Sequence, residues 1–288
     1  MNEKLKQSFE SREDYGKNVE ILLKFIRHGE RDKVGNLMDL GREITVQRAR
    51  ESGLKVSDFD AAKAIGSNAA PRKNNMGRSF ETADIYTHEI AGDEQFNSRV
   101  NDVLNYETIV NKTPFNHVEV YNKNLPDNFE ELEGEERVKA AKVAQAEVVN
   151  YLVSLNTPEA VDYKKEIAGA FSYVVEHYGR MTKKLYSGSK VLLVAGTHGG
   201  LMEFLLQQAV VLEKNGKKQI GFSDMNDIGG EFSPSESYDV IIKTDEQGEL
   251  DDLQIKFDNP NRPQGYMTLD KEKLSELSEY YKSLHKDI

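Results

Sequence analysis

Two histidines, each beside a glycine and each at the end of an apolar run, are the side chains of this sequence best placed to do chemistry. His28 lies in Arg27-His28-Gly29-Glu30, directly after Ile21-Leu22-Leu23-Lys24-Phe25-Ile26. His198 lies in Gly196-Thr197-His198-Gly199-Gly200, after Val191-Leu192-Leu193-Val194-Ala195, and leads into a helical pattern over residues 201–212. Short apolar runs of this length read as buried strands. The carboxyl edge of an open α/β sheet is where such folds bind ligands. Two strands would therefore bring an arginine and two histidines to one crevice. Taken singly, a histidine at a strand end is more often a satisfied polar group than a catalyst. The glycine beside each, the arginine beside one and a further arginine motif between them reverse that balance.

That further motif is Arg78-Ser79-Phe80-Glu81-Thr82-Ala83. With all three in order, the chain resembles the histidine phosphatase superfamily, also called the phosphoglycerate mutase-like family. Its signature is Arg-His-Gly early, Arg-x-x-x-Thr-Ala in the middle and a second histidine late. The resemblance covers most of the chain. It implies a three-layer α/β/α sandwich with a mostly parallel sheet, and metal-independent hydrolysis of a small phosphomonoester through a phosphohistidine, with no cofactor. By this resemblance His28 takes the phosphoryl group while Arg27, Arg78 and His198 hold its oxygens. Neutral imidazole is a competent nucleophile near pH 7. Gly199 and the amides opening the helix after His198 would add an anion-binding end. The proton donor matches Glu107, in Leu104-Asn105-Tyr106-Glu107, one residue longer than the family's Leu-x-Glu; Asp102 and Glu119 are the alternatives.

Two departures from the family pattern stand out. Many relatives follow Arg-His-Gly-Glu with Ser or Thr and a nearby phosphate-binding Asn, whereas here Arg31-Asp32-Lys33-Val34-Gly35-Asn36 follows and displaces Asn36. Arg31 instead matches the Arg-His-Gly-x-Arg variant of the acid phosphatase and phytase branch, which makes it a candidate extra phosphate ligand. The disulfides, secretion signal and His-Asp motif of that branch are missing. Two other functions stay open on the same fold: a phosphoglycerate or phosphosugar mutase, although the mutases' Trp-containing segment is absent, and a non-catalytic phospho-ligand binder. His88, His117, His177 and His285 lack comparable surroundings and read as surface or packing residues.

Composition bounds the rest. The 288 residues can bury a sizeable core, and we expect one domain over 1–288 with a helical insertion around 132–185. Cysteine is absent, which excludes disulfides and thiolate metal sites. Residues 1–17 are polar and charged, unlike a signal peptide, and no stretch suits a membrane span, so a cytoplasmic location is expected. A formal net charge of -11 argues against a general nucleic-acid binder. It does not argue against a phosphate site. Scattered surface charge is screened over roughly 8 Å, whereas one arginine about 4 Å from a phosphoryl oxygen is worth on the order of 4 kcal/mol at an effective dielectric near 20. The oligomeric state is not legible.

The elements that must position these groups follow from periodicity and breakers. A first helix is expected over residues 45–53, capped by Thr45 and ended by Gly53, then a strand over 61–67 and a turn-rich loop over 68–77 bordering the site. A helix over 78–90, a strand over 100–106, helices over 135–155 and 159–185, a hairpin of 238–244 with 253–257 and a terminal helix over 271–285 complete the pattern.

Overall fold

The structure is a computed structural model and describes residues 14–32, 35–67, 77–92, 96–104, 116–214 and 216–286. Its centre is a nine-stranded sheet. Four strands, β1 (Glu20–Arg27), β2 (Ala61–Gly66), β3 (Phe96–Val100) and β4 (Lys190–Thr197), run parallel in the spatial order β3-β2-β4-β1. β7 (Ser237–Lys243) adds antiparallel to β1. β8 (Gln254–Phe257), β9 (Met267–Leu269), β5 (Val210–Lys214) and β6 (Lys217–Ile220) continue outward, each antiparallel to its neighbour. Three ladders are parallel and five antiparallel, so the sheet is mixed, not mostly parallel as expected. The reason lies in the last third of the chain, where the β5–β6, β7–β8 and β8–β9 connections are too short for a crossover helix.

Both faces of the sheet are covered, which explains why β1 and β4 are apolar at nearly every position. Leu22, Ile26, Leu192 and Val194 face one layer, made by α1 (Asp39–Glu51) and α2 (Arg78–Ala91) through Ala49, Ala83, Tyr86 and Ile90. Ile21, Leu23, Phe25, Leu193 and Ala195 face the other. That second layer is built by α4 (Gly134–Ser154), α5 (Pro158–Met181), α6 (Met202–Ala209) and α7 (Lys271–Leu284), with α3 (His117–Lys123) beside α4. The alternation is the period-2 signature of a strand. Three layers result, as the resemblance implied. The charge that interrupts β1, Lys24, is fully buried but lies 2.7 Å from Asp239 on β7 and 2.5 Å from Asp258. A buried charge survives when so paired.

Three boundaries differ from the sequence reading. α1 starts at Asp39, so Thr45 is internal to it and caps nothing. Its buried hydroxyl donates back to the Gly41 carbonyl at 2.7 Å and lies 2.8 Å from Ser235 Oγ, the back-bonding that lets threonine sit inside a helix. The strand expected over 100–106 ends at Val100, because the Asn101 side chain accepts from the amides of Val103 and Leu104 and turns the chain into a 3-10 turn at Asp102–Leu104. The helix after His198 stops at Ala209, and the β-branched Val210 and Val211 pair with β9 and β6 instead. The remaining helices and the β7–β8 hairpin stand within a few residues of expectation.

Candidate active site

The parallel ladder aligns Arg27 with Thr197, so β1 and β4 release their chains side by side at one sheet edge. The His28 amide still bonds the Thr197 carbonyl at 2.9 Å. This brings the two histidines together: their ring centroids are 5.2 Å apart and the rings meet edge-on at 71°. Both are buried, at 8% exposure for His28 and 4% for His198. His28 Nδ1 lies 2.7 Å from the Gly29 carbonyl oxygen. A carbonyl only accepts, so Nδ1 carries the proton and Nε2 keeps its lone pair. Burial first, then the charges of His198, Arg78 and Arg27, hold His28 well below the usual imidazole range. His198 is depressed likewise by burial and by Arg78, Arg27 and Arg31. Both rings are therefore neutral near pH 7.

The spacing of Arg78-Ser79-Phe80-Glu81-Thr82-Ala83 has a mechanical basis. Arg78 opens α2; Thr82 follows one turn later on the same face, and Ala83 follows Ser79 by one turn on the adjoining face. Thr82 Oγ1 donates to the Arg78 carbonyl at 2.8 Å and accepts from the Gly29 amide at 3.0 Å, tying the helix to the loop that carries His28. Ala83 and the Ser79 carbonyl press onto β4 at Gly196, where a Cβ would lie 1.9 Å from the Ser79 oxygen and 3.1 Å from the Ala83 methyl. Gly196→Ala should therefore lift α2 off the sheet and destabilise by several kcal/mol, as overpacking does, with a larger fractional loss of any activity than a surface control. Urea unfolding and turnover measured side by side will show it. Arg78 Nη1 donates to the Gly35 carbonyl at 3.4 Å, and the Ser79 hydroxyl lies 3.3 Å from both His198 ring nitrogens.

Arg27 is braced from behind. Its Nη1 donates to Glu231 Oε1 at 2.5 Å and to the Phe232 carbonyl, while its Nε is buried with no hydrogen-bond partner among the described residues. A Cβ on Gly199 would come within 2.5 Å of that Nε, so only glycine lets the guanidinium lie here. The bracing segment is itself fastened by Arg262, which is 3% exposed. Arg262 donates to the carbonyls of Ile228, Gly230 and Glu231, pairs with Glu236, and stacks 3.7 Å over the Phe232 ring.

The sequence candidates are thus partly assembled. His28, His198, Arg27, Arg78 and Gly199 converge. Arg31 is exposed, its backbone bridging Leu37, yet its charge reaches His198. Asn36 is turned into its own loop, donating to Asp32 at 2.9 Å. Glu107 and the loop over 68–76 lie outside the described residues. Asp102 belongs to the short turn after β3, and Glu119 is exposed on α3. His88 and His117 are exposed, and His285 pairs with Glu166 at 3.0 Å. Among the described residues no group of three His, Asp or Glu is placed to hold a metal ion, and no helix is long and apolar enough to cross a membrane. Sequence reasoning missed Glu203, Glu231 and Arg262. Glu203 did leave a signal, as the lone charge in Leu201-Met202-Glu203-Phe204-Leu205-Leu206.

The depressed histidines set a pH dependence with a definite sign. Below about pH 6.5 the unfolded chain takes up protons that the folded chain refuses. Stability then falls as pH drops, by up to about 1.4 kcal/mol per unit for each histidine. Chemical denaturation at pH 7.5 and 5.5 should show the double variant His28→Asn/His198→Asn losing less stability across this interval than the parent protein.

No family model matches the chain, and neither does any curated protein. Solved structures do. A mycobacterial glucosyl-3-phosphoglycerate phosphatase is 16% identical, with 80% of this chain and 96% of that one covered at a TM-score of 0.34. A structure described as mycobacterial hydrolase 2 is 15% identical over 90% and 97%, at 0.35. The phytase of Hafnia alvei is 10% identical over 94% and 96%, at 0.44. At such distances the function has to be read from the side chains themselves.

Proposed function

We propose that this protein is a metal-independent phosphatase of the histidine phosphatase type, hydrolysing a small phosphomonoester through a phosphohistidine on His28. The observation that carries this reading is the 2.7 Å contact of His28 Nδ1 with the Gly29 carbonyl, which leaves the Nε2 lone pair of a buried, neutral imidazole available, edge-on to His198 and within the field of Arg27 and Arg78. In the first step the Nε2 lone pair forms a bond to phosphorus while the ester P–O bond breaks. Arg27, Arg78 and His198 take up the charge on the equatorial oxygens, and an acid, for which Glu107 is our candidate, protonates the leaving alkoxide. In the second step water attacks phosphorus and the P–N bond breaks. Inorganic phosphate leaves, His28 regains its lone pair, and the water proton returns to the acid. Histidine phosphorylation splits one hard displacement into two easier ones.

A panel of phosphorylated metabolites assayed in excess chelator tests the reading. We expect release of inorganic phosphate from at least one monoester at a rate that sustains turnover. Transfer of labelled phosphoryl mainly to a phosphoglycerate or sugar phosphate acceptor, with negligible phosphate release and a need for bisphosphate priming, would identify a mutase instead.

A further inference from the structure

Behind Arg27 the fold buries two carboxylates that the proposed reaction does not use. Glu231 bonds Arg27 Nη1 directly at 2.5 Å. Glu203, in the first turn of α6, is fully buried; one of its oxygens accepts from the Phe232 amide at 3.3 Å, and the other has no hydrogen-bond partner among the described residues. One residue lies between the two acids, because Phe232 donates its amide to Glu203 while its carbonyl accepts from the same Arg27 Nη1 that bonds Glu231. One carboxylate pairs with the guanidinium directly, and the other feels its charge from a fully buried position behind Phe232. An ionised carboxylate with a bare, buried oxygen and a like-charged neighbour is costly, and protonation is the ordinary remedy.

We infer that Glu203 is a positioning residue for Arg27 whose proton is taken up when an oxyanion occupies the crevice, so that anion affinity and protonation are coupled. The inference rests on the phosphate-binding reading of the crevice given above. Its physics is electrostatic linkage. A dianion in front of Arg27 adds negative charge to a site that already holds Glu231 and Glu203, and this raises the proton affinity of Glu203. Reciprocally, a proton on Glu203 frees the positive field of Arg27 for the anion.

Among the described residues, the groups facing Glu203 are few. They are Arg27 from β1, Glu231 and the Phe232 amide from the segment before β7, and the Tyr238 ring from β7. Arg262 and Glu236 act in turn on Glu231. Burial first and Glu231 second, opposed by Arg27, push the Glu203 carboxyl up to about 7, inside the range where the coupling would be felt. The histidines, depressed well below their usual range, do not titrate there in the anion-free protein.

Sulfate is the suitable probe because it stays dianionic throughout. Its binding to the intact protein can be followed by calorimetry from pH 6 to 8.5 in buffers of differing ionisation enthalpy, with Arg27→Ala locating the site. We expect the wild type to take up a proton on binding sulfate near pH 8, and its affinity to fall as pH rises through 7. Glu203→Gln should take up distinctly less, only what the histidines beside the anion contribute. It should bind as the wild type does at pH 6 and at least about fivefold more tightly at pH 8.5, a gain that a merely structural role would not produce. Glu231→Gln removes the like-charged neighbour and should move the proton uptake to lower pH. Sulfate binding with the same proton uptake in Glu203→Gln, or with no shift in Glu231→Gln, overturns this inference alone. Failure of the wild type to bind sulfate at any pH overturns the phosphate-binding reading along with it.

Discussion

His28→Ala is expected to cut phosphomonoester hydrolysis by at least about 10⁴-fold, since removing a covalent nucleophile forfeits the whole two-step route and leaves only what the surrounding donors can do with water. The loss should fall on kcat with little change in the affinity for sulfate, because Arg27, Arg78 and His198 remain. No acid-labile phosphoenzyme should form. The variant should fold: among the described residues the imidazole bonds the neighbouring Gly29 carbonyl through Nδ1, a local contact whose loss leaves no buried charge unpaired. A variant that hydrolyses substrate at near wild-type rates would place the nucleophile elsewhere.

Arg27→Ala carries the second large effect, and it is twofold. Loss of one charge-assisted donor to the transition state should lower kcat about 10²- to 10³-fold. Independently, Glu231 loses the cation it pairs with at 2.5 Å while staying 9% exposed, and breaking a buried pair from one side costs on the order of 3–5 kcal/mol. The two effects can be separated. Arg27→Ala combined with Glu231→Gln should recover much of the stability, read by denaturant unfolding, and none of the rate. Arg27→Lys should sit between, because an ammonium keeps the charge but cannot reproduce the planar fork held by Glu231 and the Phe232 carbonyl. Full activity in Arg27→Ala would remove this residue from the site.

What the sequence revealed and what it hid divide along a physical line. Strands buried on both faces advertise themselves as apolar runs, so β1 and β4 were legible, and with them the meeting of His28 and His198. The Arg78 motif was legible because its spacing is a helix turn. Hidden were contacts made by folding distant segments together. Arg262 is separated from Arg27 by most of the chain, and nothing near Asn259-Pro260-Asn261-Arg262-Pro263 tells a solvated turn arginine from one buried under Phe232. Thr45 and Asn101 misled because each satisfies its side chain locally in a second way, through a back-bond inside a helix and an amide cap that ends a strand. The mixed sheet was hidden too, since strand direction is set by connections that carry little signal of their own. The loop over 68–76, expected to border the site, and Glu107, expected to supply the leaving-group proton, lie outside the described residues.

The phosphohistidine is the step on which everything else depends, and it can be trapped. A labelled monoester that the protein turns over should be mixed with excess protein, quenched in alkali within one turnover, and digested for mass spectrometry. The phosphoryl group is expected on the peptide containing Arg27-His28-Gly29-Glu30, at His28, stable to base and lost in acid. Its decay should match the steady-state release of phosphate. Complete hydrolysis with no label on any histidine, or label on a residue other than His28, would contradict the mechanism outright.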